Sequence, residues 1–167
     1  MKNMSKIFRG LAGFIAIGLL VAPVLVLKDF DSAKNVGYLG FFLSSYIGGG
    51  TYILPFIVNR LDPFALLLIG TFGNTIDEVF GWYAGGLSLS LDEKTKIHKT
   101  LQTFVKKYGI LAVFLLGMGP FPQFVYTISA FAAGHHKIPV LKFLGANFTG
   151  KFIRNAVYIL ILLYFTK

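Results

Sequence analysis

The chain has 167 residues, is 55% apolar and 14% charged, contains no cysteine and carries a formal charge of +9. An ordinary soluble domain is nearer a quarter charged, and a mean hydropathy of +0.69 argues against that class. The missing cysteines exclude disulfides, thiolate metal sites and cysteine nucleophiles. The basic residues sit at segment ends and in one loop rather than in an aromatic-interleaved stripe, which speaks for membrane topology and against nucleic acid.

Residues 1–35 form the first predicted unit. Lys2, Lys6 and Arg9 precede an apolar run from Leu11 to Leu27 that ends at Lys28 and Asp29. The run is too long for the core of a cleaved signal peptide and lacks a small-x-small site, so it reads as a retained signal-anchor helix at about 10–27.

Residues 36–167 read as one membrane domain. Its first apolar block, 36–58, is interrupted by Gly48, Gly49 and Gly50 and holds Pro55. Its third, 109–134, is interrupted by Gly119, Pro120, Phe121 and Pro122, followed by Gln123. Such residues do not sit in one straight helix. Each block is either a kinked transmembrane helix or a re-entrant hairpin. Positive charge decides between them. The 91–108 segment and the His135–Lys137 turn are basic, whereas the Lys28–Lys34 loop and the Arg60–Asp62 turn are balanced. If both blocks re-enter, every basic segment shares the cytoplasmic side with the N-terminus. Two opposed re-entrant segments in a multi-pass cell-membrane protein are therefore expected.

The block at 63–88 opens with Asp62-Pro63 and reads as a transmembrane helix. At 100° per residue Gly70, Asn74, Asp77, Glu78, Gly81 and Gly85 share one face, and Phe72, Ile76, Phe80, Tyr83 and Leu87 are expected opposite, toward lipid. Intramembrane carboxylates are costly and mark function, although packing through Gly81 and Gly85 around a neutralised Glu would also account for the face. Next, 91–108 places Ile97, Leu101, Phe104 and Tyr108 at helical spacing among lysines, giving an amphipathic helix on the membrane surface or a solvated linker. The last block, 139–165, is a second transmembrane helix whose Asn147, Gly150, Lys151, Arg154 and Tyr158 share a face. Arg154 lies about 22 Å along it, too deep for a snorkelling role.

The halves correspond: a broken segment, a proline, and a helix with a charged residue fifteen positions on, Glu78 after Pro63 and Arg154 after Pro139. This is the pattern of an inverted repeat. It predicts a cavity with an acidic and a basic wall, Glu78 and Arg154 about 14 Å apart in depth, and a substrate or water between them. The broken tips expose helix N–H groups, which favour anions, so the Gly119–Gln123 run is a candidate phosphate-facing tip. His135 and His136 lack a third ligand, so neither metal nor cofactor is expected. No nucleophile–base motif is present, and an enzyme is not expected.

Several of these residues together resemble the DedA family, also described as VTT-domain or SNARE-associated Golgi-type membrane proteins. They are Lys106–Phe114, Gly119-Pro120-Phe121-Pro122, Ala132–Gly134, Phe143, and Gly150–Arg154 in the second half. In the first half they are Pro55, Asp62-Pro63, and Gly73, Asp77, Glu78, Gly81, Trp82, Tyr83 and Gly86. The likeness covers about residues 36–160 and is that of a short member. It implies an all-α membrane fold with two opposed re-entrant hairpins and lipid transport: polyprenyl-phosphate recycling in prokaryotes, phospholipid scrambling in eukaryotes. It also implies that Glu78 is the family's acidic position and Arg154 the arginine of its Gly-Lys/Arg-x-x-Arg run. The chain departs from the family in having no acidic residue after Pro55 and no arginine between Gly117 and Gly134.

The expected function is thus a flippase or scramblase for an anionic lipid headgroup. Arg154 and Lys151 would hold the phosphate, Glu78 and Asp77 would supply a counter-charge, Asn74 and Asn147 would line the path, and Arg60 would capture headgroups at the far surface. Expected partners are membrane lipids, H+ or Na+ as a coupling ion, and a second copy in a homo-oligomer. The rival readings are a non-transporting membrane scaffold, whose charges only glue helices, and a small ion-coupled exporter.

Overall fold

The structure, a computed structural model, describes residues 32–87 and 96–165. The expected N-terminal helix at 10–27 lies outside the described residues. Among those described there are seven α-helices and no strand: α1 (Ser32–Tyr46), α2 (Gly50–Ile57), α3 (Pro63–Gly86), α4 (Lys96–Tyr108), α5 (Ile110–Met118), α6 (Gln123–His135) and α7 (Val140–Phe165). The helix in the first broken block starts at Ser32, four residues before the expected 36.

Both breaks interrupt the helix as their chemistry requires. Gly48 takes φ +82°, a left-handed conformation that glycine adopts without steric penalty. Gly49 N–H donates to the Ser44 carbonyl at 2.7 Å, closing the turn, and α2 leaves in a new direction. At the second break the residues Gly119 and Pro122 are extended, and α6 starts afresh at Gln123. Each break joins the arms of a helical hairpin. In the first, the hydroxyl of Tyr38, midway along α1, accepts from the Asp62 N–H beyond α2, at 2.9 Å. The chain has gone out and come back. In the second, α6 returns to pack on α4, which precedes the outgoing arm α5.

α3 and α7 form the centre. Asp62 caps α3 by accepting from Ala65 N–H at 2.7 Å, and Pro63 occupies the first turn, where its missing N–H leaves no bond unmade. The two helices run antiparallel: Thr71 meets Asn155, and Glu78 meets Asn147. Pro63 and Pro139 therefore stand at opposite ends. The hairpin α1–α2 has its base at the Pro63 end. The hairpin α5–α6 has its base at the Pro139 end, where the Trp82 indole donates to the Ile138 carbonyl at 3.0 Å.

Glycines set the closest contacts. A Cβ on Gly85 would overlap the Phe131 carbonyl, and one on Gly134 would overlap the Trp82 carbonyl, so α3 and α6 touch backbone to backbone. Gly117 and Gly150 bring α5 and α7 together in the same way. Two apolar clusters result. One gathers Phe41, Leu54, Val58, Leu66, Ile76 and Ile159, and the other gathers Val79, Trp82, Val105, Ala112, Val113 and Phe143.

The lipid-facing side expected for α3 is only partly exposed. Phe80 is 56% exposed, but Ile76 is buried. Three helices, α1, α6 and α7, surround α3, so more than one face of it is covered. On α4, Leu101 and Phe104 pack inward beside the buried Val105, while Ile97 and Tyr108 remain exposed.

Among the described residues two helices, α3 and α7, are long and apolar enough to cross a membrane. By the 1.5 Å rise they measure about 36 and 39 Å, whereas α2 and α5 reach only about 12 and 14 Å. The last turns of α7 present Val157, Leu160, Ile161, Tyr164 and Phe165 outward.

Candidate functional site

The antiparallel register of α3 and α7 aligns their polar residues in a buried ladder. Asn155 Nδ2 donates to Thr71 Oγ1 at 3.1 Å, and Thr71 in turn donates to the Leu67 carbonyl at 2.7 Å. One turn on, the Lys151 ammonium donates to the Asn74 carbonyl and forms an ion pair with the Glu78 carboxylate. The other oxygen of Glu78 accepts from Asn147 Nδ2 at 2.7 Å. Glu78 is 3% exposed and Lys151 1%. Each charge is far too costly to bury alone, and each is compensated by the other.

This ladder corrects one expectation. Acidic and basic walls were to face each other across an open gap. Instead Lys151, one turn before Arg154, closes that gap directly on Glu78. The reason is economy of desolvation: two buried opposite charges within reach collapse together rather than stay apart.

Arg154 is left outside the ladder. Its guanidinium carbon lies 4.9 Å from the centroid of the Tyr126 ring, a cation–π distance. Its Nε and Nη2 donate to Asn155 Oδ1 at 3.3 Å. Among the described residues no carboxylate pairs with it. Tyr126 also has Lys151 over its ring at 5.6 Å, so one aromatic ring lies close to both cations.

Tyr126 holds the second tip in shape as well. Its hydroxyl donates to the Gly119 carbonyl at 2.6 Å and accepts from the Phe121 N–H at 2.9 Å. Gln123 then reaches across: its Nε2 donates to Asp77 Oδ2 at 2.6 Å, and a Cβ placed on Gly48 would stand 2.9 Å from its Cγ. The two tips therefore meet, with Gln123 lying against Gly48.

Where they meet is a cleft of about 300 Å³. Gly48, Thr51 and Tyr52 line it from the first hairpin, and Pro120, Phe121, Pro122, Gln123 and Tyr126 from the second. Asn74, Arg154 and Tyr158 line it from α3 and α7. The starts of α2 and α6 both border this cleft, and neither has a side-chain cap. Two helix N-termini without side-chain caps thus add positive potential to that of Arg154.

Of the residues singled out from sequence, Gly48, Asn74, Pro120, Pro122, Gln123 and Arg154 come together in the cleft. Gly49, Gly50 and Gly119 shape the two turns. Glu78, Lys151 and Asn147 form the ladder beside the cleft, and Asp77 tethers Gln123. Pro55 lies inside α2 and cannot donate to the Thr51 carbonyl. Arg60 stands exposed at the base of the first hairpin, away from the cleft. Sequence reading missed Tyr126, Tyr52 and Thr51. An aromatic residue four positions past a tip proline was the available signal for Tyr126.

No protein-family model, curated protein or solved structure matches the chain.

No group of three or more metal-ligating side chains occurs among the described residues. His135 and His136 face each other edge to face at 5.2 Å in the turn after α6. Burial holds the His136 imidazole below its usual range, with neighbouring His135 adding to the effect. The cleft chemistry is that of an anion site: a guanidinium on an aromatic ring, an amide, and two helix starts.

Proposed function

We propose that this chain is a small multi-pass membrane protein that passes an anionic lipid headgroup between leaflets. The observation that carries the reading is Arg154. It is a cation deep along an apolar helix, without a carboxylate partner among the described residues, in a cleft bordered by two uncapped helix starts. A phosphate is the ligand such a set of donors fits.

The opposed hairpins are re-entrant in this reading. α2 and α5 are too short to cross a core of about 30 Å, and the Tyr38–Asp62 contact supports a first block that returns to its own side. The two halves form an inverted repeat, and the tips meet near the midplane, where transporters of that plan bind substrate. The resemblance to the DedA family agrees with it. The N-terminus and the 91–108 segment are cytoplasmic by the positive-inside rule. Should transport be coupled to H+ or Na+, Asp77 is the carboxylate placed to respond, because Glu78 is paired with Lys151. A homo-oligomer is compatible with the exposed apolar face of α7.

One observation favours a different reading. The Glu78–Lys151 ladder joins α3 to α7 as a structural device would, which suits a non-transporting scaffold. Proteoliposomes separate the two. Purified protein should accelerate leaflet exchange of labelled polyprenyl phosphate or phospholipid above that of empty vesicles, and Arg154→Ala should cut the gain by about ten- to a hundredfold. Exchange equal to that of empty vesicles would leave the scaffold.

A further inference from the structure

The Pro139 end carries a second cavity, separate from the Arg154 cleft and of different chemistry. It has a volume of about 460 Å³ and lies between the last turns of α3 and the turn joining α6 to α7. Its walls are apolar: Trp82, Tyr83, Leu87, Ile138, Val140 and Leu141. The bond from the Trp82 indole to the Ile138 carbonyl ties the two walls together. One charged residue lines it, the exposed Lys137, which takes φ +56° at the turn. The surrounding residues at this end are also basic. Lys142 is exposed on α7, Lys106 of α4 approaches His136, and no carboxylate occurs in 96–108 or 135–142.

We infer that this cavity seats one chain of an anionic phospholipid, with its phosphate on Lys137. The inference rests on the reading that α3 and α7 span a bilayer, but not on transport. The occupant follows from complementarity. An apolar slot of this volume, within the range of ordinary ligand sites, takes a hydrocarbon chain. A lone cation at its rim, in a basic neighbourhood, selects a negative headgroup over a zwitterionic one. A free phosphate would find one exposed lysine against walls that are largely apolar. The seat adjoins the contact of Gly85 and Gly134, so a bound chain braces the backbone-to-backbone packing of α3 on α6.

Trp82 is the only tryptophan of the chain, and it lines the cavity, so its fluorescence reports occupancy. The full-length protein is placed in vesicles of mixed anionic and zwitterionic phospholipid, with bromine on the chains of one class at a time. Quenching by the brominated anionic lipid should exceed that by the brominated zwitterionic lipid severalfold at equal mole fraction. Lys137→Asn removes the charge while keeping a residue that tolerates positive φ, and it should make the two lipids equal. Gly86→Leu should reduce quenching by both, because a Cβ there meets only ordinary contact at 3.9 Å and its side chain fills the slot. Thermal unfolding of both variants checks that they remain folded. Equal quenching by the two lipids in the wild type overturns the inference, as does a Gly86→Leu variant quenched like the wild type. A cavity insensitive to either lipid, in a dimer that Gly86→Leu dissociates, would assign the slot to a second copy instead. Because the readout is not leaflet exchange, failure here and failure of the transport reading are distinct.

Discussion

Arg154 lies over the ring of Tyr126 while Lys151, three residues earlier on the same helix, is ion-paired to Glu78. Two neighbouring cations on one helix thus have opposite assignments. One is neutralised by a buried carboxylate, and the other has no carboxylate partner among the described residues. Mutations should separate them.

Arg154→Ala should lower leaflet exchange in proteoliposomes by about ten- to a hundredfold, since a charge-assisted hydrogen bond contributes ~1.5–3 kcal/mol. Its thermal midpoint should change little, because the partners it leaves, Asn155 and Tyr126, are neutral. Arg154→Lys should recover only part of the rate, having lost the planar fork. A variant with wild-type exchange would remove Arg154 from the mechanism.

Breaking the ladder should act on stability instead. Glu78→Gln or Lys151→Met alone leaves one uncompensated buried charge and should cost about 3–5 kcal/mol. The double variant should be more stable than either single one. Unfolding in detergent of all four proteins measures the coupling, and additive losses would contradict the pairing.

The contact of the tips makes a further prediction. Gly48→Ala meets both a left-handed φ and the Gln123 side chain, so it should disturb the cleft by two routes. Adding Gln123→Ala relieves the steric part but not the backbone part. Because Gln123→Ala also removes the bond to Asp77, the double variant should lose less exchange than the product of the two single losses, and losses that simply multiply would mean that the tips do not press on each other.

Topology is directly measurable, because the chain has no cysteine. Arg60→Cys and His136→Cys should react with an impermeant thiol reagent from opposite sides of sealed vesicles. Labelling of both from one side would sink the opposed re-entrant arrangement.

How much of this was legible depended on the range of the physics involved. The breaks at Gly48–Gly50 and Gly119–Pro122 were readable because glycine and proline act on their own backbone. The capped start of α3 at Asp62-Pro63 was readable for the same reason. The partner of Glu78 was not. It depends on the axial register of two helices, and one turn decides between Lys151 and Arg154. Ile76 was assigned to lipid because a periodicity reports the faces of one helix but not how many neighbours surround it. Tyr126 was overlooked because its two hydrogen bonds to Gly119 and Phe121 arise only when the tip folds back.

The two hairpins are not held equally. Gly85 and Gly134 let α6 rest on α3 without a side chain between them, and any slide of one along the other would drive carbonyls into α-carbons. α2 makes no comparable contact with α7. Were the cleft to open and close, α6 would stay with α3, as would α1, whose backbone lies against Gly73, and α2 would be the moving part. Labels on α2 should then change distance to α7 on substrate addition, while labels on α6 hold theirs to α3.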